Sequence, residues 1–202
     1  MGKKLVFYSV VFALAFIVLF ASIFRSASVN YAFGESETSL SDKDIPQIDY
    51  QLPGTGAVGP DDPVWFLEVL RDKVQLTFTQ NNLEKAKLLL LTADKRIAYA
   101  EQLKHRKQIG EAISVAEKAE IYLNASYEQI KLDRSDTNWF MKELSLASLK
   151  HREILEKMYL QFPDEARPRI TTILNTTKNV FEKSTHRLNE LQSSVVITPF
   201  SD

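Results

Sequence analysis

The feature that most limits the fold of this chain is a long stretch with almost no helix breakers. From Val64 to Phe162 there is no proline, and the only glycine is Gly110. Both residues are costly inside helices, so a stretch nearly free of them is typical of consecutive long helices. Sustained alternation of apolar and polar residues, the pattern of a half-buried strand, is also missing. The sequence therefore predicts an all-α domain.

Local signals divide this stretch into helices. The first helix is predicted to open at Asp61-Asp62-Pro63, an acidic cap followed by proline. Its predicted apolar face is Trp65, Phe66, Val69, Leu70, Val74 and Phe78. The second begins with Asn81 and Glu84 at capping-box spacing. Its seam alternates steps of three and four residues, as in helix bundles, and comprises Leu83, Ala86, Leu90, Ala93, Ile97 and Ala100. Gly110 then either separates helices two and three or kinks one long helix.

Three further apolar faces complete the predicted bundle. The third helix carries Ile109, Ala112, Ile113, Ala116, Leu123, Tyr127 and Ile130, and the fourth carries Phe140, Leu144, Ala147, His151, Ile154, Leu155, Met158 and Phe162. A fifth starts at Pro163, with Pro168 expected to loosen or kink its first turns. Its face is Ile170, Ile173, Leu174, Thr177, Phe181, Leu188 and Leu191. Short links make neighbouring helices antiparallel, so we predict a bundle of four to five helices over residues 63–192, followed by a loose tail, 193–202.

The N-terminus carries a membrane signal. Leu5–Phe24 is an uncharged apolar run that, as a helix, would be about 30 Å long, which matches the core of a bilayer. Lys3 and Lys4 precede this run, and an acidic segment follows it. This asymmetry predicts a cytoplasmic N-terminus and an extracytoplasmic C-terminal domain. Residues 1–25 are thus predicted to be a signal anchor or signal peptide, and 26–62 a polar, flexible extracytoplasmic tether.

Two fates of this N-terminal segment remain open. Its length favours an uncleaved single-pass anchor, because the apolar core of a signal peptide is usually shorter. Small residues at Ser26-Ala27-Ser28 would suit a signal peptidase, and cleavage near Ser28 would release the domain as a secreted protein. In both cases the domain is exported.

Composition excludes several classes of function. The chain has no cysteine, so disulfides, thiolate metal sites and cysteine nucleophiles are ruled out. A net charge of -1 provides no basic surface for nucleic acid. The run Gly54-Thr55-Gly56-Ala57-Val58-Gly59 matches the dinucleotide-binding pattern in letters only, because Pro53 stands where a strand should lead into it. We interpret this run as a turn before the bundle, and predict no cofactor.

His151 is the one candidate site residue. It lies on the apolar face of the fourth helix with Glu153 and Glu156 near it in sequence, whereas His105 and His186 lie off the predicted apolar faces. A single histidine on such a face usually makes a structural hydrogen bond, so we assign no catalytic, cofactor-binding or metal residue, and keep His151 as a candidate metal ligand. The sequence does not indicate an enzyme.

Three segments resemble a known family. They are Leu52-Pro53-Gly54 followed by Pro60-Asp61-Asp62-Pro63-Val64-Trp65-Phe66, then Ala93-Asp94-Lys95-Arg96-Ile97-Ala98-Tyr99-Ala100-Glu101, then His151-Arg152-Glu153-Ile154-Leu155-Glu156 with Phe162-Pro163-Asp164-Glu165-Ala166-Arg167-Pro168. Over residues 50–190 the chain resembles the bacterial DUF5667 family of unknown function. It departs from that pattern in a longer insert, 55–59, and in Trp65, where tyrosine is commoner. The resemblance implies an exported, often membrane-tethered bacterial helical domain, and it supplies no catalytic residues.

Two functional hypotheses follow. The first is a membrane-tethered, non-catalytic module that contacts another protein of the cell envelope, since an anchor and tether are predicted and no convergent polar residues are visible. The second is an extracytoplasmic sensor that binds a metal ion or small ligand among the helices, which His151 and its neighbouring carboxylates would serve.

Overall fold

The computed structural model describes residues 45–54, 65–131, 137–191 and 195–200. The predicted membrane segment Leu5–Phe24 and the small residues near Ser28 lie outside these ranges. None of the helices described is long and apolar enough to cross a membrane.

Within the described ranges the chain forms five α-helices and no strand. The helices are α1 (Trp65–Phe78), α2 (Asn82–His105), α3 (Ile109–Ile130), α4 (Asn138–Gln161) and α5 (Arg167–Glu190). A short 3₁₀ turn, Asp164–Ala166, precedes α5. The prediction of an all-α domain is confirmed.

Helices α2 and α3 form one hairpin and α4 and α5 another, and the two hairpins pack into a bundle. The start of α2 lies beside the end of α3, since Ser126 Oγ donates to the Ala86 carbonyl oxygen at 2.8 Å and Gln129 Nε2 donates to Asn82 Oδ1 at the same distance. The hydroxyls of Ser145 and Ser184 are 2.8 Å apart between α4 and α5. Close contacts of this kind are possible because small side chains line the helix faces.

The predicted start of α2 is confirmed in detail. Asn81 Oδ1 accepts a hydrogen bond from the Glu84 backbone N–H at 3.0 Å, which satisfies a donor that the first turn leaves unpaired. The seam of this helix is buried as predicted except at its first member, Leu83, which is half-buried. The other members, Ala86, Leu90, Ala93, Ile97 and Ala100, are all 3% exposed or less.

The break between α2 and α3 settles the alternative at Gly110, because the two helices are separate. The chain turns at Lys107, whose φ of 60° lies in the left-handed region. The Gln108 N–H then reaches back to the Leu103 carbonyl oxygen at 3.0 Å and closes the end of α2. Gly110 itself lies in the first turn of α3.

Pro168 lies in the first turn of α5 and does not kink the helix. The 3₁₀ turn ends at Ala166, and Pro168 stands in the first turn of α5, where its missing N–H removes no helical hydrogen bond. The prediction that Pro168 loosens the helix was wrong, because α5 starts at Arg167 and not at Pro163.

The apolar face of α1 differs from the prediction. Leu70, Val74 and Phe78 were expected in the core, but their exposed fractions are 46%, 47% and 79%. Leu67, one turn before Leu70, is 60% exposed. The α1 helix is apolar on more than one side, so periodicity alone did not identify the side that faces solvent.

Both terminal segments pack on α4. Ile45, Leu149 and Phe200 form a small buried cluster, and the Arg152 guanidinium lies 4.4 Å from the centre of the Phe200 ring. The tail was predicted to be loose over 193–202, and the tether to extend to 62. Instead, residues 45–54 (the N-terminal segment) and 195–200 (the C-terminal segment) contribute apolar side chains that cover α4.

Candidate functional site

The sequence-predicted residue His151 lies at the centre of a buried polar cluster. Its side chain is fully buried on α4. The Nδ1 atom is 2.6 Å from Glu120 Oε1 on α3, and Nε2 is 3.0 Å from Asp94 Oδ1 on α2. Three helices thus meet through one histidine and two carboxylates, of which Glu120 is 2% exposed and Asp94 4%.

Two hydroxyl groups complete this set, which we call the His151 cluster (Tyr50, Asp94, Glu120, His151 and Thr177). Tyr50 Oη, from the N-terminal segment, donates to Asp94 Oδ2 at 2.7 Å. Thr177 Oγ1, from α5, donates to Glu120 Oε2 at 2.7 Å. Each carboxylate therefore has both oxygens paired, as buried charges require.

His151 is an imidazolium in this environment. Both ring nitrogens face oxygens of carboxylates, which only accept hydrogen bonds, so both nitrogens must donate. Burial alone would lower the pKa of His151. The negative charge of Glu120 and the hydrogen bonds to Asp94 and Glu120 outweigh burial, and raise the pKa of His151 to about 9.

The acid nearest to His151 in sequence is not its partner. Glu153 faces away from the histidine and accepts from Lys157 Nζ at 2.7 Å and from Lys150 Nζ at 2.9 Å. It also accepts from the Ile48 backbone N–H at 2.9 Å. Burial would raise the pKa of Glu153, but these hydrogen bonds lower it overall. The N-terminal segment is thus hydrogen-bonded to the bundle through Ile48 and Tyr50.

The sequence interpretation missed Tyr50 and the two acidic members of the cluster, Asp94 and Glu120. A signal for the two acids exists. Asp94 stands between Leu90 and Ile97, and Glu120 lies close to Leu123 on the seam of α3. A charged residue in line with a buried seam must find a partner inside the protein.

The His151 cluster is chemically closed. A general base or metal ligand needs a free nitrogen or oxygen aimed at substrate or metal, and in His151 both ring nitrogens are already engaged. Across the described ranges, no group of three or more His, Cys, Asp or Glu side chains is arranged to hold a metal ion. The geometry is that of an internal network that joins four helices and the N-terminal segment.

A small cavity lies beside this network, between α4, α5 and the C-terminal segment. Its volume is about 90 Å³. Ser148, Arg152, Phe181 and Thr198 are among the side chains that line it. Pockets that enclose drug-sized ligands are several times larger, roughly 300–1,000 Å³. This cavity is too small to enclose a drug-sized ligand.

The raised pKa of His151 makes stability depend on alkaline pH. The folded pKa of about 9 lies above the ordinary value of 6.5, so the stabilisation is complete below about pH 6.5 and is lost as pH rises through 9. We expect the free energy of unfolding to fall by about 3 kcal/mol between pH 6 and pH 10. Urea denaturation at a series of pH values measures this. The same series on His151→Gln is the control, and an equal slope in both proteins would contradict the prediction.

Removing the Tyr50 hydroxyl should loosen the N-terminal segment. Tyr50→Phe keeps the ring but leaves Asp94 Oδ2 without its donor, so we expect a loss of about 1–3 kcal/mol in the free energy of unfolding. Denaturant titration measures the loss. Asp49→Asn, at an exposed neighbouring position, serves as control and should change stability by less than about 0.5 kcal/mol. Equal effects of the two variants would show that the Tyr50–Asp94 hydrogen bond contributes nothing.

Comparison with protein families assigns this domain to a family. The model of a family described as Domain of unknown function (DUF5667) matches residues 57–190. The chain belongs to the DUF5667 family. The match includes all five helices, and the resemblance noted in the sequence is thereby confirmed, although Leu52-Pro53-Gly54 lies just before the matched range. Neither the curated proteins nor the solved structures include a match to this chain.

Proposed function

We propose that this DUF5667 protein is a membrane-tethered, extracytoplasmic helical bundle of the bacterial cell envelope that acts by contacting a protein partner, without catalysis. The observation that carries this proposal is the exposed apolar stripe of α1, formed by Leu67, Leu70, Val74 and Phe78. Adjacent large apolar side chains left in solvent are typical of a contact surface.

The tether is supported by the sequence. Leu5–Phe24 is long enough to span a bilayer, and Lys3 and Lys4 would keep the N-terminus on the cytoplasmic side. If the anchor is removed near Ser28, the same domain would act as a secreted protein. Either way, the surface of α1 would be available outside the cytoplasm.

A ligand-binding sensor is the alternative, and it has less support. His151, the residue that motivated it, donates from both ring nitrogens to carboxylates, so a metal ion would have to displace one of them. The cavity next to the cluster is smaller than pockets that enclose drug-sized ligands.

Export is tested by labelling in intact cells. The chain has no cysteine, so Lys73→Cys, at an exposed position on α1, provides a single reactive thiol. We expect a membrane-impermeant maleimide to label this variant in intact cells of a bacterium that produces the protein. Labelling that requires permeabilised cells would place the domain in the cytoplasm and overturn the proposal.

Contact is tested by photo-crosslinking in the same cells. A photoreactive amino acid at Leu70 should give an adduct with one protein that mass spectrometry identifies. The same amino acid at Lys73, away from the apolar stripe, is the matched control and should give no such adduct. If neither position gives an adduct, the stripe is not a contact surface.

A further inference from the structure

The apolar stripe of α1 has a regular geometry. Leu67, Leu70, Val74 and Phe78 follow one another at steps of three, four and four residues, which places them on one face of the helix. Val69 and Leu76, on the other side of α1, are half-buried. The stripe is thus an apolar ridge along α1 that remains 46% exposed or more at each of its four positions.

The order of side chains along this ridge is nearly symmetric. Leu70 and Val74 lie at equal distances on either side of position 72, and Leu67 and Phe78 are centred half a residue further along. A two-fold rotation about an axis near position 72 places the ridge of a second copy antiparallel against this one. Leu70 of one copy then faces Val74 of the other, and Leu67 faces Phe78. A self-complementary surface of this kind is what an isologous contact requires.

The charges of α1 favour a protein over a lipid surface. Glu68 and Asp72 balance Arg71 and Lys73, so the helix has no formal net charge. Helices that lie on membranes usually carry a strongly basic polar face. The Arg71 guanidinium, next to the symmetry point, is held by its own Asp72 at 2.7 Å and need not repel its counterpart in a second copy.

We propose that the α1 stripe packs antiparallel against the α1 stripe of a second copy of this chain. The inference rests on the proposed function and names its partner. One face of a 14-residue helix is about 21 Å long and about 10 Å wide. An area of this size is much smaller than the roughly 800 Å² per partner of a standard interface, so the contact is weak between free domains. Tethering two copies to one bilayer raises their effective concentration and makes the contact significant.

Disulfide trapping in vesicles tests both contact and direction. Full-length chains that carry Leu67→Cys or Phe78→Cys, with different tags, are reconstituted together into phosphatidylcholine–phosphatidylglycerol vesicles. We expect disulfides between Leu67→Cys and Phe78→Cys to form about tenfold faster than between two copies of Leu67→Cys, because only the former lie opposite each other. Lys73→Cys, off the stripe, should form dimers slowly.

Three outcomes would overturn the antiparallel dimer. Faster pairing of Leu67→Cys with itself would indicate parallel helices, and rates equal to that of Lys73→Cys would indicate no contact. Quenching of a fluorophore on Leu70→Cys by spin-labelled lipid, without disulfide formation, would assign the stripe to the bilayer. None of these three outcomes affects the labelling test in intact cells, which tests export. Contact with a different protein is tested separately by photo-crosslinking at Leu70.

Discussion

The variant His151→Ala is expected to lose about 3–5 kcal/mol of unfolding free energy at neutral pH. The wild-type imidazolium neutralises part of the charge of Glu120 and Asp94, which are almost fully buried. Without it, two carboxylates remain close together in the core. Two buried like charges without a counter-charge repel each other, which costs stability. Thermal or urea denaturation followed by circular dichroism measures the loss.

The pH dependence of this variant separates charge from packing. A cavity left by the imidazole costs the same at any pH, whereas the stabilisation from the charged His151 is complete below about pH 6.5 and is lost as pH rises through 9. The deficit of His151→Ala should therefore be larger at pH 6 than at pH 10. His186→Ala is the matched control, because the His186 side chain is 75% exposed, and it should stay within about 0.5 kcal/mol of wild type. A similarly small effect of His151→Ala would mean that the cluster contributes little to stability.

A second large effect is expected from Leu90→Asp. Leu90 is 3% exposed in the cluster that joins α2 to Leu123 and Leu144. The substitution removes a buried leucine and leaves an unpaired carboxylate in the core, so we expect a loss of about 4 kcal/mol or more, enough to unfold a marginally stable domain. The midpoint of urea denaturation measures this loss. If the variant is too unstable to purify, the loss shows as a reduced yield of soluble protein.

Two controls accompany Leu90→Asp. Leu91→Asp makes the same change one residue further along α2, where the side chain is 42% exposed, and should cost less than about 1 kcal/mol. Gln108→Ala should cost almost nothing, because its side chain makes no capping bond to α3. If Leu90→Asp and Leu91→Asp have the same midpoint of urea denaturation, the seam of α2 is assigned to the wrong residues.

The interior faces of α2 to α5 were predictable because local rules determine them. A cap at Asn81 and an apolar residue every three or four positions identify the helix and its buried side from neighbours in the sequence. The antiparallel arrangement follows in turn from short links. For α1 the same rule failed, because apolar residues lie on more than one of its sides. Burial there depends on the remainder of the fold.

The His151 cluster was only half predictable. The histidine stood out on an apolar face, but its partners Asp94 and Glu120 come from other helices, and periodicity does not say which helices lie side by side. Tyr50 was further hidden in a segment interpreted as tether. The role of its hydroxyl becomes apparent only once Asp94 is known to need a second hydrogen-bond donor.

The most direct test of a membrane-tethered domain is the intact mass of the protein from the membrane and soluble fractions of cells that express it. We expect the full-length mass of 23.1 kDa in the membrane fraction. A mass that lacks the first ~30 residues in the soluble exported fraction would contradict tethering and indicate a secreted domain. The full-length mass in the cytosol would contradict both tethering and export.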